Sequence, residues 1–195
     1  MDFTTIIWIL VSAIILIAIF LLIRSWIVVY NKFQYWVNKA ERKFADIDVI
    51  IQQRVDMIHA LANTVKKYDI HEYKTLKDVI ESRSRWSKDA PINERVQKAQ
   101  ETENKIGLLN IQALFEKYPR LKAGPLHKSL LGNLSRIESR LRRARLEYNK
   151  TVQMYNERLA WFPRKIVARV HRFKKLNYLD FGSQEPYQPK EIFND

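Results

Sequence analysis

Asp56 and His59 stand three residues apart, a spacing that sets a carboxylate and an imidazole on one face of a helix. Repeated on a second helix and joined by two more carboxylates, such a pair builds the di-iron site of a helical bundle. The second copy is missing. None of the other three histidines, His71, His127 and His171, has an Asp or Glu three residues before it. His171 also lies among cations, which would repel a metal. The pair reads instead as the polar edge of a helix. Asp46 and Asp48 are two apart and point to different faces, so they cannot converge from one helix. One of them is expected to pair with an arginine of the last long helix. The chain has no Cys, which excludes disulfides, thiolate metal sites and thiol catalysis. No Gly-rich phosphate loop, nucleophile elbow or zinc-protease helix motif occurs. Catalytic, cofactor-binding and metal-ligating residues are therefore expected to be none.

Other spacings suit binding. Tyr148-Asn149 and Tyr155-Asn156 recur after seven residues, two turns on one face. They offer either stacking tyrosines to a partner or half-buried tyrosines whose hydroxyls bond a neighbouring helix, and the apolar seam around them favours burial. Asn149 and Asn156 would then cross-link helices. Arg140, Arg142, Arg143 and Arg145 form one basic cluster. Arg164, Lys165, Arg169, Arg172, Lys174 and Lys175 form a second, with no acid between them. Ile166, Val167, Val170 and Phe173 interleave the second cluster, and Trp161 and Phe162 precede it. That is the pattern of a basic amphipathic helix, suited to a membrane surface or an acidic partner. The bland alternative is a solvated face with cations favouring a helix C-terminus.

The elements that must position these groups begin with an anchor. Phe3 to Ile23 is a run of 21 uncharged, mostly apolar residues, and about 20 such residues span a bilayer core as a helix. Trp8, Trp26 and Tyr30 are placed to sit at its interfaces. Only Asp2 precedes the core, without the basic start and small-residue cleavage site of a signal peptide. Arg24, Lys32, Lys39, Arg42 and Lys43 follow the run while no Lys or Arg precedes it. The positive-inside rule therefore puts the N-terminus outside and the bulk of the chain in the cytoplasm, as a single-pass membrane protein. The net charge of +13, from 34 Lys and Arg against 21 Asp and Glu, suits an acidic partner without choosing one.

Beyond the anchor (1–30), a bundle domain is expected over 31–176 and an extended tail over 177–195. Phe33, Val37, Ala40, Phe44, Ile47, Ile51, Val55, Ile58, Ala62 and Val65 recur by threes and fours, the stripe of a helix packing on helices. Tyr73 to Trp86 either continues that helix or bends from it near Asp69. A second helix is expected over 93–118 with Asn93 as N-cap, ended by Tyr118-Pro119. A third is expected over 125–162, on the near-heptad spacing of Leu130, Leu134, Ile137, Leu141, Ala144, Tyr148, Val152, Tyr155 and Leu159. Phe162-Pro163 closes it, and a short helix spans 165–173. The fold class is all-α: a transmembrane helix, then an elongated antiparallel bundle of three long helices plus a short C-terminal helix. With three passes, the basic helix ends far from the bilayer, about 50 Å out, unless the bundle lies flat.

These segments resemble the LemA family. Ala45-Asp46-Ile47-Asp48-Val49, Arg54, Asp56, Leu61, Thr64-Val65-Lys66, Tyr68, His71-Glu72, Thr75-Leu76 and Val79-Ile80 are similar to its first-helix signature. Tyr118-Pro119 before Leu121-Lys122-Ala123 resembles its mid-chain turn. Glu138, Arg145, Tyr148-Asn149, Val152, Tyr155-Asn156, Arg158 and Phe162-Pro163 resemble its last long helix. His59 departs from the proline expected there, and Gly124 to His127 also differs. The resemblance implies a bacterial, single-span helical protein with a short outside N-terminus and no settled molecular function. The expected role is a non-catalytic membrane-anchored scaffold, held in the bilayer by its first helix. It would bind a protein partner or self-associate through its apolar or Tyr-rich stripe. The alternative is membrane-surface binding through the basic helix, with anionic lipid as partner. Nucleic acid is disfavoured because no reading motif accompanies the charge.

Overall fold

The structure is a computed structural model that describes residues 2–67, 69–109, 111–118 and 125–180. All regular structure among these residues is helical: α1 (Phe3–Val65), α2 (Ile70–Ser84), α3 (Ile92–Gly107), α4 (Ile111–Lys117), α5 (Pro125–Ala160) and α6 (Arg164–Val170). The all-α class and the long apolar first helix are as expected. The chain divides into two compact units, Met1–Asn38 with Tyr155–Lys175, and Lys39–Met154 with Leu176–Asp195.

In the second unit the stripe of α1 is spent on packing. Ala40, Phe44, Ile47, Ile51, Val55, Ile58, Leu61, Ala62 and Val65 are all buried, and burying each large member contributes roughly 1.5–3 kcal/mol. α1 stops where the stripe stops. Asp69 takes an extended backbone (φ −151°, ψ 119°), and its carboxylate accepts from the His71 and Glu72 amides, capping α2. The bend near Asp69 is thus the correct one of the two readings.

Contacts give the direction of each helix in this unit. α2 starts beside the end of α1, where Lys66 lies over the Tyr73 ring, and ends with Arg83 bonded to Asp48, so it runs back along α1. α3 runs with α1, since Arg95 meets Glu41 and Arg54 meets Glu103. α4 follows it to Asp69 and Glu72, which Lys117 binds. α5 returns, passing Gln53 with Arg140 and Lys43 with Glu147.

Four details differ from expectation. The predicted helix over 93–118 is broken after Gly107, and α4 begins at Ile111. Asn93 does not cap α3; Pro91 stands at that position without a side-chain bond, and Asn93 Oδ1 accepts from the Asn177 amide instead. Asp48 pairs with Arg83 of α2, not with an arginine of α5, because α2 folds back onto α1. The segment after Leu176 is extended, yet Leu179 is fully buried, so the chain is still held there. Pro119 and the turn around it, and the tail beyond Asp180, lie outside the described residues.

Candidate functional site

The first unit gathers the aromatic and basic residues. The apolar residues of α1 from Phe3 to Ile23 are open on the surface, as lipid contact requires, and this is the only helix among the described residues long and apolar enough to cross a membrane. Past Ile23, Trp26 Nε1 donates to His171 Nε2 at 3.1 Å, and the Tyr30 ring lies 4.6 Å from the His171 ring. Phe173 packs 5.1 Å from Phe33, which also meets the edge of Tyr155 at 6.3 Å. Arg158 lies 4.3 Å over Trp36. These contacts tie the basic segment to residues 26–36 of α1, the stretch directly after the apolar run.

That placement overturns the expected location of the basic helix about 50 Å out. The reason is parity. Counting the bend at Asp69 as a reversal adds one pass, so α5 heads toward the start of α1 and not away from it.

How α6 ends also matters. Arg172 has φ 56°, the left-handed region. Its amide bonds Arg169 O at 3.2 Å, and the Phe173 amide reaches back to Ala168 O at 2.9 Å. This is a Schellman stop with arginine where glycine is usual. A β-carbon there costs about 1 kcal/mol relative to glycine. The turn it makes is what swings Phe173 onto Phe33. Around α6, Val167 and Ala168 are buried, while Lys165, Ile166, Arg169 and Val170 are exposed. Phe162 is 83% exposed, and its bond to Pro163 is cis.

In the second unit the polar groups serve the fold. Arg54 bridges Glu103 at 2.5 Å and Glu138 at 3.1 Å. Burial pushes the Glu103 carboxyl up from its usual range, against the pull of Arg54. Arg83 binds Asp48 at 2.6 Å and lies 4.2 Å over Trp86, whose indole N–H donates to Thr102. At the α1–α2 bend, the Tyr118 hydroxyl donates to Asp69 at 2.7 Å. That bond, with the His71 and Glu72 amides, holds the Asp69 carboxyl down at about 2.

The Tyr-Asn spacing also has a structural use. In the second unit Tyr148 donates to Asn177 O at 3.0 Å. Asn149 donates to Leu179 O at 3.0 Å and accepts from its amide at 2.8 Å. In the first unit Tyr155 donates to Lys174 O at 2.9 Å. Both tyrosines are buried, and burial raises both phenols, that of Tyr155 to about 12. They hold the extended C-terminal strap, not a neighbouring helix. Asn149 likewise bonds the strap where a helix cross-link was expected, while Asn156 is half-buried. Tyr148, Tyr155 and the buried residues of the α1 stripe are thus engaged within the chain. Sequence reasoning missed this use because the strap's backbone groups leave no side-chain pattern to read.

Of the remaining expected residues, Arg140, Arg142 and Arg143 are exposed on α5, with Arg140 bonded to Gln53 at 2.9 Å. Arg164 is half-buried and lies 5.4 Å from the Trp161 ring; Lys174 and Lys175 are exposed. His59 is exposed, and Asp56 accepts from Gln52 at 2.7 Å. No group of three metal-ligating side chains occurs among the described residues.

Comparison with known proteins agrees with the motif placement. The LemA family model matches residues 43–193, most of the chain. The protein belongs to the LemA family. The match runs through α2–α6, including the Tyr148-Asn149 and Tyr155-Asn156 pairs that hold the strap. The chain is also similar to the magnetosome protein MamQ of Magnetospirillum gryphiswaldense, with 21% identity over 174 residues. That match takes in 76% of this chain and 64% of MamQ, so the chain spans under two thirds of that relative's length. Family and apolar helix together make this a membrane-associated LemA protein.

Proposed function

We propose that this LemA protein is a single-span, non-catalytic scaffold of the bacterial inner membrane that presents its helices to a protein partner in the cytoplasm. The observation that carries the reading is the continuity of α1. One unbroken helix begins with lipid-exposed residues from Phe3 and ends in a stripe buried to Val65. The helices on that stripe are therefore attached to the apolar run through one continuous helix. Ion pairs such as Arg54–Glu103 and Arg83–Asp48 serve packing, and the exposed arginines of α5 are left to meet an acidic partner.

The test is cross-linking in native membranes with the wild-type chain and with Arg142→Glu plus Arg143→Glu. A cross-linked partner that is lost in the variant, with helicity unchanged, supports the scaffold reading. The same cross-linked species in both chains would reject these arginines as the contact, and their absence in both would reject the scaffold. Orientation is checked by protease added to intact cells. The cytoplasmic placement requires residues after the span to survive; their digestion would refute it.

A further inference from the structure

We infer that the segment Phe162–Lys175 is a second attachment to the bilayer, an interfacial patch that seats on anionic phospholipid directly beside the protein's own span. Scaffolding does not require this patch.

Trp26 and Tyr30 lie three and seven residues past Ile23, about 5–10 Å along a helix of 1.5 Å rise. The headgroup layer extends roughly that far beyond the hydrocarbon core. His171 contacts both residues, so the segment that carries it is held at headgroup depth. Ile27 and Val28, also past Ile23, remain 52% and 44% exposed.

On α6, Ile166 and Val170 are 47% and 60% exposed and lie within about 40° of each other on the helix. Phe162, one turn earlier, is 83% exposed and Trp161 is 42% exposed. Lys165 and Arg169 flank that stripe on one side, and the buried Val167 flanks it on the other. Apolar side chains bordered by cations, with the opposite face buried, match an interfacial helix. Between Glu157 and Asp180 there is no acid to repel a phosphate.

Arg172 occupies a left-handed position that glycine would take more easily. The turn places this exposed cation next to His171, at the depth of Trp26 and Tyr30.

The test uses full-length protein reconstituted in vesicles of phosphatidylcholine with a minority of phosphatidylglycerol. Because the chain has no Cys, Val170→Cys gives a single site for an environment-sensitive fluorophore. Brominated lipids are expected to quench it. Brominated phosphatidylglycerol should quench about fivefold more per lipid than the brominated choline lipid, in line with the attraction of one cation to an anionic surface. The preference should vanish in about 1 M salt.

Arg172→Gly should reduce that preference severalfold and raise the unfolding temperature by about 2–4 °C, because glycine relieves the turn. A structural arginine would not show those opposite signs. No quenching by either lipid would overturn the proposal, as would equal quenching by both. An Arg172→Gly chain that is less stable and keeps the lipid preference would also overturn it. So would quenching that disappears as protein density rises, because a second copy would then cover the patch.

Discussion

Removing Arg54 exposes the balance that holds α1, α3 and α5 together. Its guanidinium is 13% exposed and the Glu103 side chain 3%, whereas Glu138 is 60% exposed. In Arg54→Ala the Glu138 arm loses about 0–1 kcal/mol. Glu103 is left as a buried carboxylate without its cation, which costs about 3–5 kcal/mol. That is a large part of the roughly 5–15 kcal/mol that stabilises a typical domain, and corresponds to about 6–20 °C in unfolding temperature.

The pH dependence has an unusual sign. Burial already raises the Glu103 pKa above the ordinary glutamate value of 4.5, and loss of Arg54 is expected to raise it further. The folded variant then binds a proton that the unfolded chain releases. Its deficit should be largest at alkaline pH and shrink as pH falls through the raised folded value toward the unfolded one. Far-UV circular dichroism of the detergent-solubilised protein, melted from about pH 8 to about pH 5, measures this. Replacing both partners, Arg54→Met with Glu103→Leu, should restore stability to near wild type. A loss under about 1 kcal/mol, or a deficit independent of pH, would refute the reasoning.

Other perturbations give distinct outcomes. Asp69 has its pKa lowered to about 2, so its cap stabilises the fold above its ordinary value of 3.8 and is lost as pH falls through about 2. Asp69→Ala should therefore flatten the acid limb of a melting curve, and an unchanged limb would count against the cap. Asn149→Ala strands both backbone groups of the fully buried Leu179, at about 1–3 kcal/mol each. It should open the strap to proteolysis near Tyr178 while α5 stays intact. Tyr148→Phe loses one hydroxyl bond to Asn177 and should cost only about 0.5–1.5 kcal/mol. A cost equal to that of Asn149→Ala would contradict the strap geometry.

Much of the fold could be read in the sequence because its helices announce themselves locally. The apolar run to Ile23, the stripe to Val65 and the near-heptad seam of α5 each carry their own period, and all three form helices as expected. A bend near Asp69 was one of two open readings, and only its capping bonds separate a bend from a continuation. That one turn sets the direction of α5 and so decides where the basic segment lies. The break after Gly107 had a weak signal in the glycine itself. The strap had none, because Tyr148, Asn149 and Tyr155 recognise backbone carbonyls and an amide, which any residue supplies. Arg172 in a left-handed turn was equally hidden, since glycine is the residue that marks such a stop.

The basic C-terminal segment lies beside the exit of the span. Cysteine pairs with a short bismaleimide in native membranes test it most directly. Tyr30→Cys with His171→Cys, whose parent rings are 4.6 Å apart, should cross-link within one chain. Lys43→Cys with Glu147→Cys, at a 3.5 Å ion pair, serves as the positive control. Intramolecular product is expected from both pairs. Product from the control pair alone would contradict it.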